Sequence, residues 1–172
     1  VKKYVNRKDV LICANGIPCS FDLDSHSIPS STPQILIPHI LFLSNLLVSK
    51  GVVALLDALR ILKDKGCSFV CDFVGGETVE MDAVMFESKV AKRGLEGMAI
   101  YHGRKYGKDK EVFFRSADMF VFPTFYHNEC FPLVLLEAME HGLPCISTTE
   151  GGIPGLVDDG KTGYLVPKHD AV

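Results

Sequence analysis

Tryptophan is absent, and no excess of either charge sign dominates the 172 residues: 18 Lys and Arg stand against 21 Asp and Glu, for a net charge of −3. Gripping a phosphate backbone needs clustered basic residues, so a nucleic-acid partner is disfavoured. Long apolar runs are missing too. The longest, residues 35–48, is broken by Pro38, His39, Ser44 and Asn45, which is too interrupted to span a bilayer, and no signal-peptide pattern precedes it. The six cysteines, at 13, 19, 67, 71, 130 and 145, form no C-x-x-C pair. They read as buried free thiols, and the cytoplasm follows as the expected compartment. H-E-x-x-H, a Cys/His cluster, G-x-S-x-G and the Walker A spacing are all lacking, and His26 and His39 have no partners at metal spacing, so no bound metal is expected.

What is present is a hydrophobic fraction of 47% in a length suited to one domain. Apolar segments of strand length alternate regularly with helical patterns. Strands are predicted over residues 39–44, 67–74, 98–102, 118–123, 143–147 and 163–166, with Cys67 and Cys71 on one face of the second. Helices are predicted over residues 51–65, 79–93, 109–115 and 132–141. The first carries Val52, Leu55, Leu56, Leu59 and Leu62 at helical spacing, and Gly66, Gly94 and Gly142 follow three of these helices as stops. Strands apolar on both faces that alternate with helices imply an α/β fold: a doubly wound, Rossmann-like parallel sheet of about six strands with helices on both faces.

The first 38 residues differ. Asn15 to Phe21 (NGIPCSF) reads as a turn, and residues 25–33 are rich in Ser and Pro, so 1–38 is expected to be a linker and loop, with the folded domain over 39–172. Both ends look like cuts. The chain begins at Val1 without a methionine and stops just after Asp170, a helix N-cap residue with no helix to follow; a piece of a longer protein is expected.

In such a sheet, ligands bind beyond the carboxyl ends of the strands. That directs attention to residues 45–50, 75–78, 103–107, 124–131 and 148–154. The segment TFYHNECF, residues 124–131, leads into the helix PLVLLEAMEHG. First-turn amides of a helix have no intrahelical acceptor, so the backbone of Cys130, Phe131, Pro132 and Leu133 is a candidate diphosphate cradle, although every βα unit has such an end. Glu129 and Glu137 bracket this start. Glu137 is the one ionisable residue from Pro132 to Met139 and wants a hydrogen-bonding partner, for which sugar hydroxyls would serve. The alternative is a solvated stripe of Glu137, Glu140 and His141. Lys50, before Gly51, is either a cation aimed at an anionic ligand or an ordinary surface lysine. Gly75-Gly76 and Gly151-Gly152 either let backbone approach a ligand or simply make turns. His127 and His102 carry less weight.

Together these segments resemble the group 1, or family 4, retaining glycosyltransferases of the GT-B fold. The family pattern E-x-F-P/G-x-x-x-x-E-A-M-A-x-G-x-P-V-I is matched by ECFPLVLLEAMEHGLPCI, residues 129–146. GGIPGLVDDGKTGYLVP, residues 151–167, is similar to the family's GG-x-P-E-x-V-x-x-G-x-x-G-x-L-V, and LFLSNLLVSKG to its F-V-G-R-L-x-x-x-K-G. VGGE, SADMFVFPT and ANGI fall at the expected places.

The resemblance implies a donor-binding C-terminal half that moves a hexose from a nucleotide-diphosphate sugar to an acceptor hydroxyl. It implies no metal and no separate cofactor, since the nucleotide sugar is a substrate. Glu129 would act at the reacting hexose through its hydroxyls, and Glu137 would bind ribose hydroxyls. The amides of Cys130 to Leu133 would hold diphosphate and sugar, and Lys50 would supply a cation. The base would lie near residues 101–106. The acceptor, a glycan or glycolipid, would be held by an N-terminal half, with peripheral membrane association of the full-length enzyme, and the piece alone would be inactive. Two departures stand out. Asn45 occupies the place of the family's Arg, so one diphosphate cation is missing unless Arg104 or Lys105 replaces it, and Gly155 replaces the acid of G-G-x-P-E. A non-catalytic module that has lost donor binding, or another GT-B nucleotide-sugar enzyme such as an epimerase, are the alternative readings.

Overall fold

The computed structural model describes residues 37–171. The expectation of a linker and loop over residues 1–38 lies outside the described residues except at Ile37 and Pro38, and those for Cys13, Cys19, ANGI and His26 lie outside them altogether. Six strands, β1 (His39–Leu43), β2 (Val70–Val74), β3 (Ala99–Tyr101), β4 (Met119–Phe122), β5 (Cys145–Thr148) and β6 (Gly163–Val166), form one sheet in the order β3-β2-β1-β4-β5-β6. Every pairing is parallel. Four helices connect them: α1 (Val52–Asp64), α2 (Ala83–Ala91), α3 (Gly107–Ser116) and α4 (Leu133–Glu140). The expected doubly wound α/β sheet is what forms.

Register assigns the two faces. Ile40, Phe42, Cys71, Phe73, Met119 and Val121 share one face, which α1 and α2 cover, with Phe73 edge-on to Phe86 of α2 at 4.9 Å. Leu41, Asp72, Phe120, Cys145 and Ser147 share the other, where Phe114 of α3 lies 6.1 Å from Phe120 and stacks on His141 just past α4. Phe42, Phe73, Phe86 and Phe120 are fully buried, and each contributes about 2–3 kcal/mol by leaving water. Helices on opposite faces follow from right-handed crossovers that run outward from β1 in one direction and from β4 in the other. The reversal sits between β1 and β4, and the crevice there opens at the carboxyl edge.

Several boundaries differ from the sequence reading, for local reasons. The second strand begins at Val70 rather than residue 67, because the Cys67 N–H is taken by the Leu62 carbonyl as α1 closes over Gly66. Cys67 is therefore exposed and does not share a face with buried Cys71. Helix α2 starts at Ala83 rather than 79: the Thr78 hydroxyl accepts from the Glu80 and Met81 N–H groups in a turn, and the Asp82 carboxylate then caps the Met85 N–H at 2.7 Å. Between β1 and α1 lies a 3-10 turn, Val48–Lys50, that the pattern did not reveal. Lys50 thus ends a turn of its own, separated from α1 by Gly51 in a left-handed conformation.

Candidate functional site

The site is assembled where the loop after β4 meets the turn after β1. The Phe125 N–H donates to the Ser49 carbonyl at 2.8 Å. Fully buried Thr124 adds its hydroxyl, within 3.4 Å of the same carbonyl and 3.5 Å of Glu129 Oε2, while its own carbonyl accepts from the Thr148 hydroxyl of β5. These ties clamp residues 49 and 124–129 together. Their product is an ion pair: Lys50 Nζ donates to Glu129 Oε2 at 2.5 Å, with side-chain exposures of only 16% and 10%. The Lys50 ammonium also lies 4.5 Å from the centre of the Tyr126 ring, which faces it as a cation–π partner. So Lys50 is not a loose surface lysine, and Glu129 is not a solvated loop acid. Two charges this shielded need each other unless a ligand supplies replacements.

Behind Glu129 the chain runs straight into α4. Pro132 precedes the helix in an extended conformation and no side chain caps it. Leu133, at the first turn, is 43% exposed, so the amide end of α4 opens outward rather than into the core. The Cys130 carbonyl is already engaged, accepting from the Gly152 N–H at 2.7 Å. Gly151 and Gly152 therefore press against the backbone of residues 129 and 130. At Gly151 a Cβ would stand 1.7 Å from the Glu129 carbonyl oxygen.

Glu137 is half-buried on α4 and accepts from Lys110 Nζ of α3 at 2.6 Å. Glu137 thus meets a cation from another helix, while the His141 ring turns to Phe114 and contacts the Glu137 carbonyl. Lys110 is also the link to an open cleft of about 400 Å³, lined by Leu43, Asn45, Gly75, Gly76, Lys105 and Tyr106 along with Arg104 and Lys110. Asn45 serves the wall of this cleft: its side-chain carbonyl accepts from the Gly76 N–H at 3.1 Å. Tyr101 donates to the Gly75 carbonyl at 2.9 Å, and burial, then the Glu77 carboxylate, push its phenol up against the opposing pull of Arg104.

Elsewhere, His102 reaches Asp72 at 2.6 Å and its ring packs on Phe113 of α3. His127 sits against Tyr126. Gly155 closes a short 3-10 turn, Ile153–Gly155, with open space around it. Glu150 is held below the ordinary carboxylate range by its hydrogen bond from Lys168. Among the described residues no group of three or more His, Cys, Asp or Glu is placed to hold a metal ion, and no helix is long and apolar enough to cross a membrane.

Sequence reasoning did not single out Thr124, Thr148, Tyr126 or Lys110. The available signal was two threonines ending adjacent apolar strands, where a hydroxyl must find a backbone acceptor once buried.

The cysteines give a direct check. Burial pushes the Cys145 thiol up to about 12 and raises Cys71 well above its ordinary range, whereas Cys67 and Cys130 are exposed. Brief alkylation of the native chain at neutral pH, followed by peptide mapping, should modify Cys67 and Cys130 and spare Cys71 and Cys145. A bound diphosphate should protect Cys130 and leave Cys67 unaffected.

The sequence matches the family described as Glycosyl transferases group 1 over residues 37–172. It is 32% identical over 126 residues to a putative colanic acid biosynthesis glycosyltransferase, WcaL, of Salmonella typhimurium (strain LT2), covering 71% of this chain and 30% of that protein. The fold is similar to that of Anabaena HepE crystallised with UDP, at 25% identity and a TM-score of 0.68, covering 78% of this chain and 36% of that one. It is also similar to apo WaaB, a lipopolysaccharide outer core galactosyltransferase, with a TM-score of 0.73 at 20% identity, covering 96% of this chain and 44% of that one. The chain spans about a third of the length of the curated relatives it matches. With its all-parallel sheet and its matched motif around α4, the chain belongs to the group 1 glycosyl transferases, as a C-terminal domain of the GT-B fold.

Proposed function

We propose that this chain is the donor-binding half of a metal-independent, retaining glycosyltransferase of family 4, which moves a hexose from a nucleoside-diphosphate sugar to an acceptor hydroxyl. The observation that carries the reading is the shielded Lys50–Glu129 pair at the β1/β4 crevice, beside the uncapped start of α4. A donor diphosphate would take the Lys50 ammonium and the N–H groups of Cys130, Phe131 and Leu133, Pro132 having none to give. That frees Glu129 to accept hydrogen bonds from the hexose hydroxyls beside the reacting carbon. Glu137, held by Lys110, would accept from ribose hydroxyls, with the base in the cleft near Tyr101 and Tyr106.

As the bond from the anomeric carbon to the diphosphate breaks, its electron pair passes to the phosphate oxygen. Lys50 and the helix amides stabilise the charge that develops there, the role a metal ion plays in other transferases. The acceptor hydroxyl attacks from the face the leaving group departs from and gives its proton to the departing phosphate oxygen, so configuration is retained. Acceptor binding falls to a further half of the enzyme, with a glycan or glycolipid as acceptor and peripheral membrane contact, and the described half alone transfers nothing. The four cysteines among the described residues are unpaired thiols, which favours the cytoplasm as the compartment.

The test is calorimetric titration of UDP, GDP, ADP and their hexose conjugates into the full chain. One nucleotide series is expected to bind, its sugar conjugate more tightly than the free diphosphate. Silence with all three series would sink the reading. A second reading, a module that has lost donor binding, draws on Asn45, whose carbonyl is engaged by Gly76 and which brings no cation to the cleft. It predicts that silence.

A further inference from the structure

Four cations gather near the carboxyl edge, and they are not equivalent. Lys50 is paired with Glu129, and Lys110 with Glu137. Arg104 and Lys105 also line the cleft, and neither forms an ion pair with another described residue. An anion entering the cleft meets these two charges without displacing a carboxylate.

Of the two, Arg104 has a seat. It follows β3 directly after His102 and Gly103, and its guanidinium lies in the space that a side chain at position 76 would fill. A Cβ on Gly76 would come within 2.2 Å of Arg104 Nη2 and 2.7 Å of Nε. Gly76 is itself fixed, because its N–H is held by Asn45 and its carbonyl accepts from the Leu46 N–H at 2.8 Å. The missing side chain therefore forms a notch in the cleft wall that positions the planar group, while Arg104 stays open to solvent on its other side. A guanidinium presents several donors in a rigid fork that matches two phosphate oxygens at once, which an ammonium cannot do.

We propose that Arg104, seated by Gly76, is a second cation on the diphosphate of the nucleotide, gripping it from the cleft side while Lys50 meets it from the α4 side, and that Asn45 acts by holding the notch in shape. The assignment rests on the donor-site reading above and adds to Lys50 a guanidinium on the same diphosphate.

The experiment compares wild type, Arg104→Ala, Lys105→Ala and Gly76→Ala by calorimetry, each titrated with UDP, GDP and ADP and with the bare nucleosides. For the diphosphate that binds wild type, Arg104→Ala should weaken affinity about 10- to 100-fold, the range for a charge-assisted contact, with the nucleoside unchanged within about twofold. Lys105→Ala should cost less than about threefold. Gly76→Ala pushes the guanidinium out of its seat, so it should weaken diphosphate binding too, and should add nothing when combined with Arg104→Ala. Arg104 is exposed, so its loss leaves the fold intact. Equal diphosphate affinity for wild type and Arg104→Ala overturns the proposal and leaves the donor site standing, as does an equal loss for diphosphate and nucleoside. Absence of any diphosphate binding to wild type overturns both.

Discussion

Glu129→Ala in the full-length enzyme should lower hexose transfer by about 10²- to 10³-fold, the scale on which one hydrogen-bonding group at a reacting centre acts. The same change should leave nucleoside diphosphate affinity undiminished. In the unliganded site Glu129 holds the Lys50 ammonium at 2.5 Å, so a diphosphate that recruits Lys50 must first draw it off the carboxylate. Removing the carboxylate removes that competition, and free diphosphate should bind as well as to wild type or better. Stability should fall in the absence of nucleotide, by about 1–3 kcal/mol, because a lysine that is 16% exposed keeps its charge and loses its partner. Added nucleotide should restore much of it. Glu129→Gln, which keeps the shape but not the charge, should lie between the two in both measurements. Steady-state transfer and thermal unfolding with and without nucleotide separate these effects. Unchanged transfer by Glu129→Ala would remove the carboxylate from the chemistry and favour the non-catalytic reading.

The layers of this fold were legible because they follow from periodicity. Apolar segments such as HILFL and CIST have only one use in a chain that alternates with helices, and β6 falls on the residues expected. What escaped was everything decided by a hydrogen bond between distant segments. The turn Val48–Lys50 exists because Ser49 must offer its carbonyl to Phe125, 76 positions later, and nothing in residues 48–50 announces that partner. Likewise the alternatives for Lys50 and Glu137 stayed open on spacing alone. What the spacing did not show is the opposite charge each meets from another element, Glu129 for Lys50 and Lys110 for Glu137. The expectation of buried thiols holds for two of the four described cysteines and fails for the other two. Cys71 and Cys145 lie inside strands and are buried, whereas Cys67 belongs to a helix closure and Cys130 to a ligand-edge loop, and both are exposed. Glycine pairs were the most ambiguous letters in the sequence. Gly75 and Gly76 shape a cleft wall, with Gly75 against the Ser44 carbonyl, and Gly151 and Gly152 press on the backbone of residues 129 and 130.

That last contact carries the second large prediction. Gly151→Ala should destabilise the fold by roughly 3 kcal/mol and abolish most transfer in the full-length enzyme, although residue 151 need not touch substrate. Two costs combine. The backbone at Gly151 has φ of 53°, a left-handed conformation that alanine adopts only with strain. More severely, its Cβ would stand 1.7 Å from the Glu129 carbonyl oxygen, and a carbonyl is not the free end of a side chain that can turn away. Relief requires the loop at 129–130 to move. That motion breaks the hydrogen bond from Gly152 to Cys130, displaces Glu129 from Lys50, and shifts the entry to α4. Gly155→Ala is the matched control, since no atom lies within 4 Å of the added carbon there. It should change stability by less than about 0.5 kcal/mol and leave transfer intact. If Gly151→Ala unfolds at the wild-type temperature and transfers hexose at the wild-type rate, the clamp between residues 151 and 129 does not hold the site in place. A variant that keeps wild-type stability yet loses transfer would instead put the glycine itself against the ligand.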